Sequence, residues 1–172
     1  LTRLDQQRLA LHPRQYAPAR LTNDICALYR VKAAAKNVEL KVHIASDVPE
    51  HHIADPARIR QILINLLDNA LKFTPAGGRI DCNLVLDDPV HPAWAKLSVA
   101  DTGPGLPPKA REHLFAAFQG GTRAGGTGLG LAIAAELVRG HGGRLDLMRS
   151  DAGGTDFVIR LPKTLGTAEA IG

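Results

Sequence analysis

Two pairs of alternating segments leave no room for a helix between their members, and this restricts the fold more than any other feature. Residues 79–87 place Ile80, Cys82, Leu84 and Leu86 at every second position. Residues 94–100 set Ala95, Leu97 and Val99 against Trp94, Lys96, Ser98 and Ala100. A period of two is that of a strand with one face buried. Pro89, His91 and Pro92 mark the loop between them. Nearer the C-terminus, 144–149 and 155–161 flank Gly153-Gly154, a hairpin signal.

The remaining segments read mostly as helices. Residues 17–37 carry Leu21, Ile25, Leu28 and Val31 at near-helical spacing, and 38–45 alternate like a half-buried strand. Asp55-Pro56 is a helix start, an N-cap carboxylate followed by proline in the first turn. That helix runs to about Thr74, where Pro75-Ala76-Gly77-Gly78 stops it. Residues 127–140 form another helix, turned by Gly142-Gly143. Adjacent strands without intervening helices require a mixed sheet with helices on one face. The expected class is therefore α+β, a two-layer sandwich of a mixed sheet covered by about three helices, and not a doubly wound nucleotide fold. Residues 1–12 read as the end of a helix closed by Pro13, 13–165 as the domain and 166–172 as a short tail.

Charge and composition narrow the partners. The 21 basic and 17 acidic residues are spread along the chain with no long basic run, and aromatics are 4%. Both argue against nucleic acid as a partner. Cys26 and Cys82 form no metal-ligand spacing and read as buried reduced thiols of a reducing, cytoplasmic compartment. No apolar stretch reaches the roughly 18 residues of a membrane span, and no signal peptide opens the chain. It starts on Leu1, so the expectation is a fragment of a longer protein, itself not inserted in a membrane although the parent is open to anchoring.

On the 55–74 helix, Ile59, Ile62, Leu63, Leu66, Leu67, Ala70, Leu71 and Phe73 cover a broad apolar arc. The narrow remainder holds Arg58, Gln61, Asn65, Asp68, Asn69 and Lys72. A solvated helix face is the plain alternative, but Asn is a poor helix former, by roughly 0.7 kcal/mol relative to Ala. Asn65 and Asn69 followed by Lys72 set two amide oxygens and an ammonium in a row. Amide oxygens are hard neutral ligands for Mg²⁺, and an ammonium is a point charge for a phosphate. A Mg²⁺-triphosphate would use all three.

Two glycine-rich segments follow. DTGPG, residues 101–105, places Asp101 directly after an apolar strand, with Gly103 and Gly105 permitting close backbone approach. A carboxylate accepts from an amino group, and the exocyclic amine of adenine is a fitting donor; a turn capped by Asp101 is the competing reading. GGTGLG, residues 125–130, opens the 127–140 helix and exposes unpaired N–H groups at its positive end, an anion site. It is neither a GxGxxG fingerprint nor a P-loop.

Taken in order, NLLDNALKF, DTGPG, LFAAF and GGTGLGLAI resemble the N, G1, F and G2 boxes of sensor histidine kinases, members of the superfamily that also holds gyrase, MutL and the heat-shock chaperone ATPases. The resemblance covers about residues 17–162. It implies an ATP-binding (Bergerat-type) sandwich with a mobile lid. Asn65 and Asn69 would bind Mg²⁺ directly or through water, and Lys72 would meet the phosphates. Asp101 would hold the adenine amine, with Gly103 and Gly105 shaping the pocket. Gly126, Gly128, Leu129 and Gly130 would offer backbone to the phosphates, and Thr155 would support the adenine end through water. Phe115 and Phe118 match the F box. The lid, QGGTRA, is short, and its Arg123 is a candidate for the γ-phosphate.

The phosphoacceptor histidine of that family is missing; the seven histidines stand in other contexts. The resemblance therefore implies a domain that binds Mg-ATP and donates the γ-phosphoryl group to a histidine elsewhere in a two-component sensor kinase. Its partners would be the dimerisation and histidine-phosphotransfer domain of the parent and a response-regulator receiver domain. The alternatives are a gyrase- or MutL-like ATPase whose nucleotide drives dimer closure, and a degenerate partner-binding module. Hydrolysing members of the superfamily carry Glu at the position of Asn65, whose neutral amide cannot take a proton from water. Asp68 lies about 60° round the helix from Asn65 at 100° per residue and is an uncertain substitute.

Overall fold

The computed structural model describes residues 10–86, 94–108, 111 and 127–162. The elements run β1 (Arg14–Tyr16), α1 (Pro18–Ala35), β2 (Glu39–Ile44), β3 (His52–Ala54), α2 (Pro56–Phe73), β4 (Arg79–Leu86), β5 (Trp94–Asp101), α3 (Thr127–Gly140), β6 (Arg144–Asp151) and β7 (Gly154–Pro162). Five strands form one sheet in the order β2-β4-β5-β7-β6. β2 and β4 are parallel, because β3 and α2 cross between them, and every other pairing is antiparallel. The sheet is mixed and the class α+β, as the adjacent strand pairs require.

One buried cluster joins the helices to the sheet. Ile62, Leu63, Leu66 and Leu67 of α2 meet Ile80 and Cys82 of β4, Val99 of β5 and Phe157 and Ile159 of β7. α2 packs against both α1 and α3, so each side of its polar arc faces a different helix. Asp55 caps α2 as its sequence position suggests: Oδ1 accepts from the Arg58 N–H at 3.3 Å, and Oδ2 accepts from the His12 N–H at 2.9 Å.

Three features differ from the sequence reading. The small antiparallel sheet of β1 and β3, pairing Arg14 with Ala54, has strands of three residues, too short to show a period. The expected apolar stripe of α1 is split. Ile25 is buried, but Leu28 and Val31 are 57% and 72% exposed; the core face is instead Thr22, Ile25, Cys26, Tyr29 and Ala33. Third, a bulge between Leu147 and Arg149 shifts β6 by one residue against β7, so that Ser150 stands opposite Thr155.

Cys26 and Cys82 are buried free thiols. Their mutual hydrogen bond, then burial, pushes the Cys82 thiol well above its ordinary value. His52 and His141 are buried in the structure and serve packing. The Tyr16 hydroxyl lies 2.7 Å from His52 Nδ1, and His52 Nε2 lies 2.9 Å from the Pro162 carbonyl. His141 Nδ1 lies 2.8 Å from the Leu137 carbonyl, and its Nε2 accepts from the Asp55 N–H at 3.3 Å.

Candidate functional site

The polar arc of α2 is only partly solvated: Gln61, Asp68 and Lys72 are exposed, Asn65 is half-buried and Asn69 is buried. Asn69 is 7% exposed, which an Asn on a water-facing helix surface has no reason to be. Asn65 reaches the neighbouring helix: its Nδ2 donates to the Gly130 carbonyl of α3 at 3.0 Å, and its Oδ1 accepts from Gln61 Nε2 at 2.8 Å. A Cβ on Gly130 would sit in ordinary van der Waals contact, 4.0 Å from Asn65 Cγ, so this contact does not itself require glycine. Asp68 turns the other way. The Tyr29 hydroxyl of α1 donates to its Oδ1 at 2.6 Å. Burial, then that bond, raises the Tyr29 phenol above its ordinary value. Lys72 stands exposed at the C-terminal end of α2, where Lys36 Nζ donates to the carbonyls of Leu71 and Lys72.

Asp101 ends β5 and is 4% exposed. Its Oδ1 accepts from the Gly103 N–H at 2.9 Å, so the capped turn is real. Burial lifts its carboxyl above the ordinary value, while backbone bonds from Gly103 and Thr155 and the charge of Arg149 pull it down. Thr155 pairs with Asp101 in the β5–β7 register and is itself buried. Its Oγ1 is 3.5 Å from Ser150 Oγ, a contact that depends on the bulge.

The loop after Asp101 is pressed between two elements. A Cβ on Gly103 would meet the Phe73 carbonyl, the last residue of α2, at 2.7 Å and Asp101 Oδ1 at 3.0 Å. Gly105 has φ +82, and a Cβ there would meet the Asp151 carbonyl at 2.3 Å. The Leu106 N–H donates to Ser150 Oγ at 2.7 Å. The DTGPG loop thus joins the end of α2 to the β6–β7 hairpin, and both glycines sit where backbones touch.

Most sequence candidates converge. Asn65 and Gly130 meet at the α2–α3 contact, Asn69 is buried one turn further along α2 and Lys72 stands at its end; Gly103 approaches that end at the Phe73 carbonyl and Gly105 approaches Asp151, with Asp101 bonded to Gly103 and paired with Thr155. Gly128 and Leu129 lie in the first turn of α3, which starts at Thr127. Arg123, Gly126, Phe115 and Phe118 lie outside the described residues. Two contributors were not singled out from the sequence. In the sequence Gly154 marks only a turn, yet with φ +143 a Cβ there would lie 1.9 Å from the Asp101 carbonyl. Ser150 is aimed by the bulge, for which LDLMRS carries no mark.

The donor set near α2 is neutral. Among the described residues no group of three or more His, Cys, Asp or Glu is placed to hold a metal ion. A divalent cation at Asn65 and Asn69 would need its counter-charge from a ligand, as a triphosphate provides.

Comparison with known proteins bears on the whole chain. Residues 54–165 match the family described as histidine kinase-, DNA gyrase B- and HSP90-like ATPases. The sensor histidine kinase TmoS of Ectopseudomonas mendocina is 37% identical over 169 residues, which cover 94% of this chain and 17% of TmoS. Among solved structures, full-length ShkA in complex with AMPPNP superposes with a TM-score of 0.76 at 33% identity, covering 89% of this chain and 31% of that one. The nucleotide-free catalytic domain of the histidine kinase ThkA superposes with a TM-score of 0.75 at 25% identity, over 91% of this chain and 99% of that domain. The chain thus corresponds to a small part of TmoS and to nearly all of the ThkA catalytic domain.

Proposed function

The chain belongs to the family of histidine kinase-, DNA gyrase B- and HSP90-like ATPases, and from that membership we propose that it binds Mg-ATP and donates the γ-phosphoryl group to a histidine outside this chain, as the catalytic unit of a two-component sensor kinase. The observation that carries the reading is the burial of Asn69 beside an Asn65 tied to α3. It supports reading the asparagine row as the wall of a site rather than as a water-facing surface.

In this reading Asp101 accepts from the adenine amine, and Gly103, Gly105 and Gly154 let the strands and loop close around that carboxylate. Thr155 supports the same end. Lys72 and the first-turn N–H groups of α3, from Gly128 to Gly130, face the phosphates, with the helix dipole adding the same sign. Asn65 and Asn69 would hold Mg²⁺, and Gly126 and Arg123 would complete the phosphate contacts. Bound there, Mg²⁺ would neutralise charge on the phosphate oxygens.

The side chains favour transfer to histidine over hydrolysis. The Asn65 amide cannot accept a proton from water at neutral pH. The nearest carboxylate on the helix, Asp68, is drawn towards α1 by Tyr29. Transfer to a neutral imidazole asks for positioning and charge neutralisation rather than a strong base in this domain. The partners would be the dimerisation and histidine-phosphotransfer domain of the parent and, after it, a receiver domain. Among the described residues no helix is long and apolar enough to cross a membrane.

The test combines two measurements on this chain. Mg-ATP should raise its melting temperature, since a ligand of the folded state stabilises that state. The chain should label itself poorly with γ-phosphate, but should label an added histidine-phosphotransfer domain. Steady ATP turnover without an acceptor would favour the gyrase-like alternative. No thermal shift at all would remove the nucleotide.

A further inference from the structure

Away from the nucleotide-site residues, three arginines from three elements line one cleft. Arg14 of β1, Arg20 of α1 and Arg60 of α2 surround an opening of about 360 Å³ that also includes Ala17, Asp24 and Pro56. All three are exposed, and none of their side chains makes a hydrogen bond or ion pair with another described residue. Asp24 is the one carboxylate lining the cleft among the described residues.

One of them, Arg20, is placed against helix electrostatics. The N-cap of α1 is Ala17, whose side chain caps nothing, and its first turn holds no acidic residue but does hold Arg20. The first turn of α2 has no acidic residue either, and both oxygens of its cap Asp55 are already used by the Arg58 and His12 N–H groups. Cations at the positive ends of helices are unfavourable. Local departures of this kind are expected where a surface serves a ligand. The convergence of guanidinium groups carries the inference; the helix ends add charge of the same sign.

We propose that this cleft is a docking site for an acidic polypeptide segment of a partner protein. Planar guanidinium forks match carboxylates. An extended acidic chain can present one carboxylate to each of the three guanidinium groups. Asp24 opposes a phosphate but can accept from a peptide N–H, a donor that a nucleic-acid backbone lacks. A second copy is a poor occupant, since each copy carries a net charge of +4.

The experiment uses the 172-residue chain and a fluorescein-labelled hexaglutamate peptide at low salt, read by anisotropy. Saturable binding is expected, weakened at least tenfold in the Arg14→Gln, Arg20→Gln, Arg60→Gln variant and about threefold in each single variant. Removing equal charge elsewhere, with Lys41→Gln, Arg139→Gln and Arg144→Gln, should change affinity less than twofold. Equal weakening in that control would reduce the effect to net charge and overturn the site. So would hexathymidylate binding as tightly and failing in the same triple variant, which would assign the cleft to nucleic acid. The single variants keep the test decisive if the triple variant does not fold. Mg-ATP affinity should stay constant throughout, so the result is separate from the nucleotide reading.

Discussion

The side-chain amide of Asn65 on α2 donates to the carbonyl of Gly130 on α3 across 3.0 Å, so one residue couples the asparagine row to the helix that opens the glycine-rich segment. Asn65→Ala removes this bond and the candidate metal contact together. A neutral hydrogen bond contributes about 0.5–1.5 kcal/mol, so a melting-temperature drop of only a few degrees is expected. Calorimetry should show Mg-ATP affinity falling by about tenfold or more. Unchanged affinity with a lowered melting temperature would leave Asn65 as a helix clamp alone.

Asp101→Asn should move stability and binding in opposite directions. Burial raises the Asp101 carboxyl above its ordinary 3.8, so its ionised form is costly in the folded state. Stability therefore falls as pH rises from the ordinary value through the raised one, and the full cost is present at neutral pH. The Asn variant escapes this cost while its oxygen still accepts from the Gly103 N–H. Without nucleotide it should melt higher than the parent at pH 7, with the gain fading below about pH 4. Its amide can present N–H towards the adenine N–H, so preference for ATP over GTP should collapse. Retained preference would move adenine recognition elsewhere.

Much of the fold around the candidate site is legible in the chain because its determinants are local. The Asp55 cap, the spacing of Asn65 and Asn69, and the position of Asp101 at a strand end all survive in the structure. What was not legible depends on contacts between distant segments. Leu28 and Val31 continue a helical period, yet neighbouring elements bury the Ile25–Cys26–Tyr29 side instead. The β6 bulge interrupts no obvious pattern, and only pairing with β7 shows that it brings Ser150 to Thr155. Gly154 looks like any turn glycine until the Asp101 carbonyl is seen where its Cβ would stand.

Asp68 should be dispensable for binding despite adjoining Asn69. The Tyr29 hydroxyl holds its Oδ1 at 2.6 Å on the α1 side of α2, away from Asn65 and α3. Asp68→Asn should leave Mg-ATP affinity and phosphotransfer within about twofold of the parent. The destabilisation should be about 1 kcal/mol or less, since the Asn oxygen can still accept from Tyr29 and an ordinary net hydrogen bond is worth about that much. A large loss of phosphotransfer at unchanged affinity would restore Asp68 as a proton acceptor.

Gly154→Ala should be among the most damaging single changes outside the core. Its φ of +143 is strained for any L side chain, and the added Cβ would overlap the Asp101 carbonyl at 1.9 Å. Neither strand can withdraw without breaking the β5–β7 ladder that pairs Asp101 with Thr155. Overpacking of this kind costs about 1–3 kcal/mol, with backbone strain in addition. Denaturant melts should show the loss, and ATP binding should weaken in the fraction that remains folded. A neutral outcome would mean that the hairpin tip relaxes freely and does not position Asp101.

Acid should loosen the frame of the domain before it reaches the carboxylates. His52 and His141 are both held below their ordinary 6.5, chiefly by burial. In the unfolded chain each takes up a proton as pH falls through 6.5, while in the folded chain it stays neutral until a lower pH. Stability contributed by the neutral rings is thus complete above 6.5 and is lost as pH falls from there through the lowered values. Each proton taken up on unfolding steepens the decline by about 1.4 kcal/mol per pH unit. The consequences are positional. His52 ties β1 and β3 to the end of β7 through Tyr16 and Pro162, and His141 ties the end of α3 to the start of α2 through Leu137 and Asp55. Chemical denaturation between pH 7.5 and 5.0 should show stability falling below 6.5, with a shallower slope in His52→Gln, His141→Gln whatever its absolute stability. Asp101 acts with the opposite sign, so it cannot imitate this slope. An equal slope in the double variant would place the proton uptake on other groups.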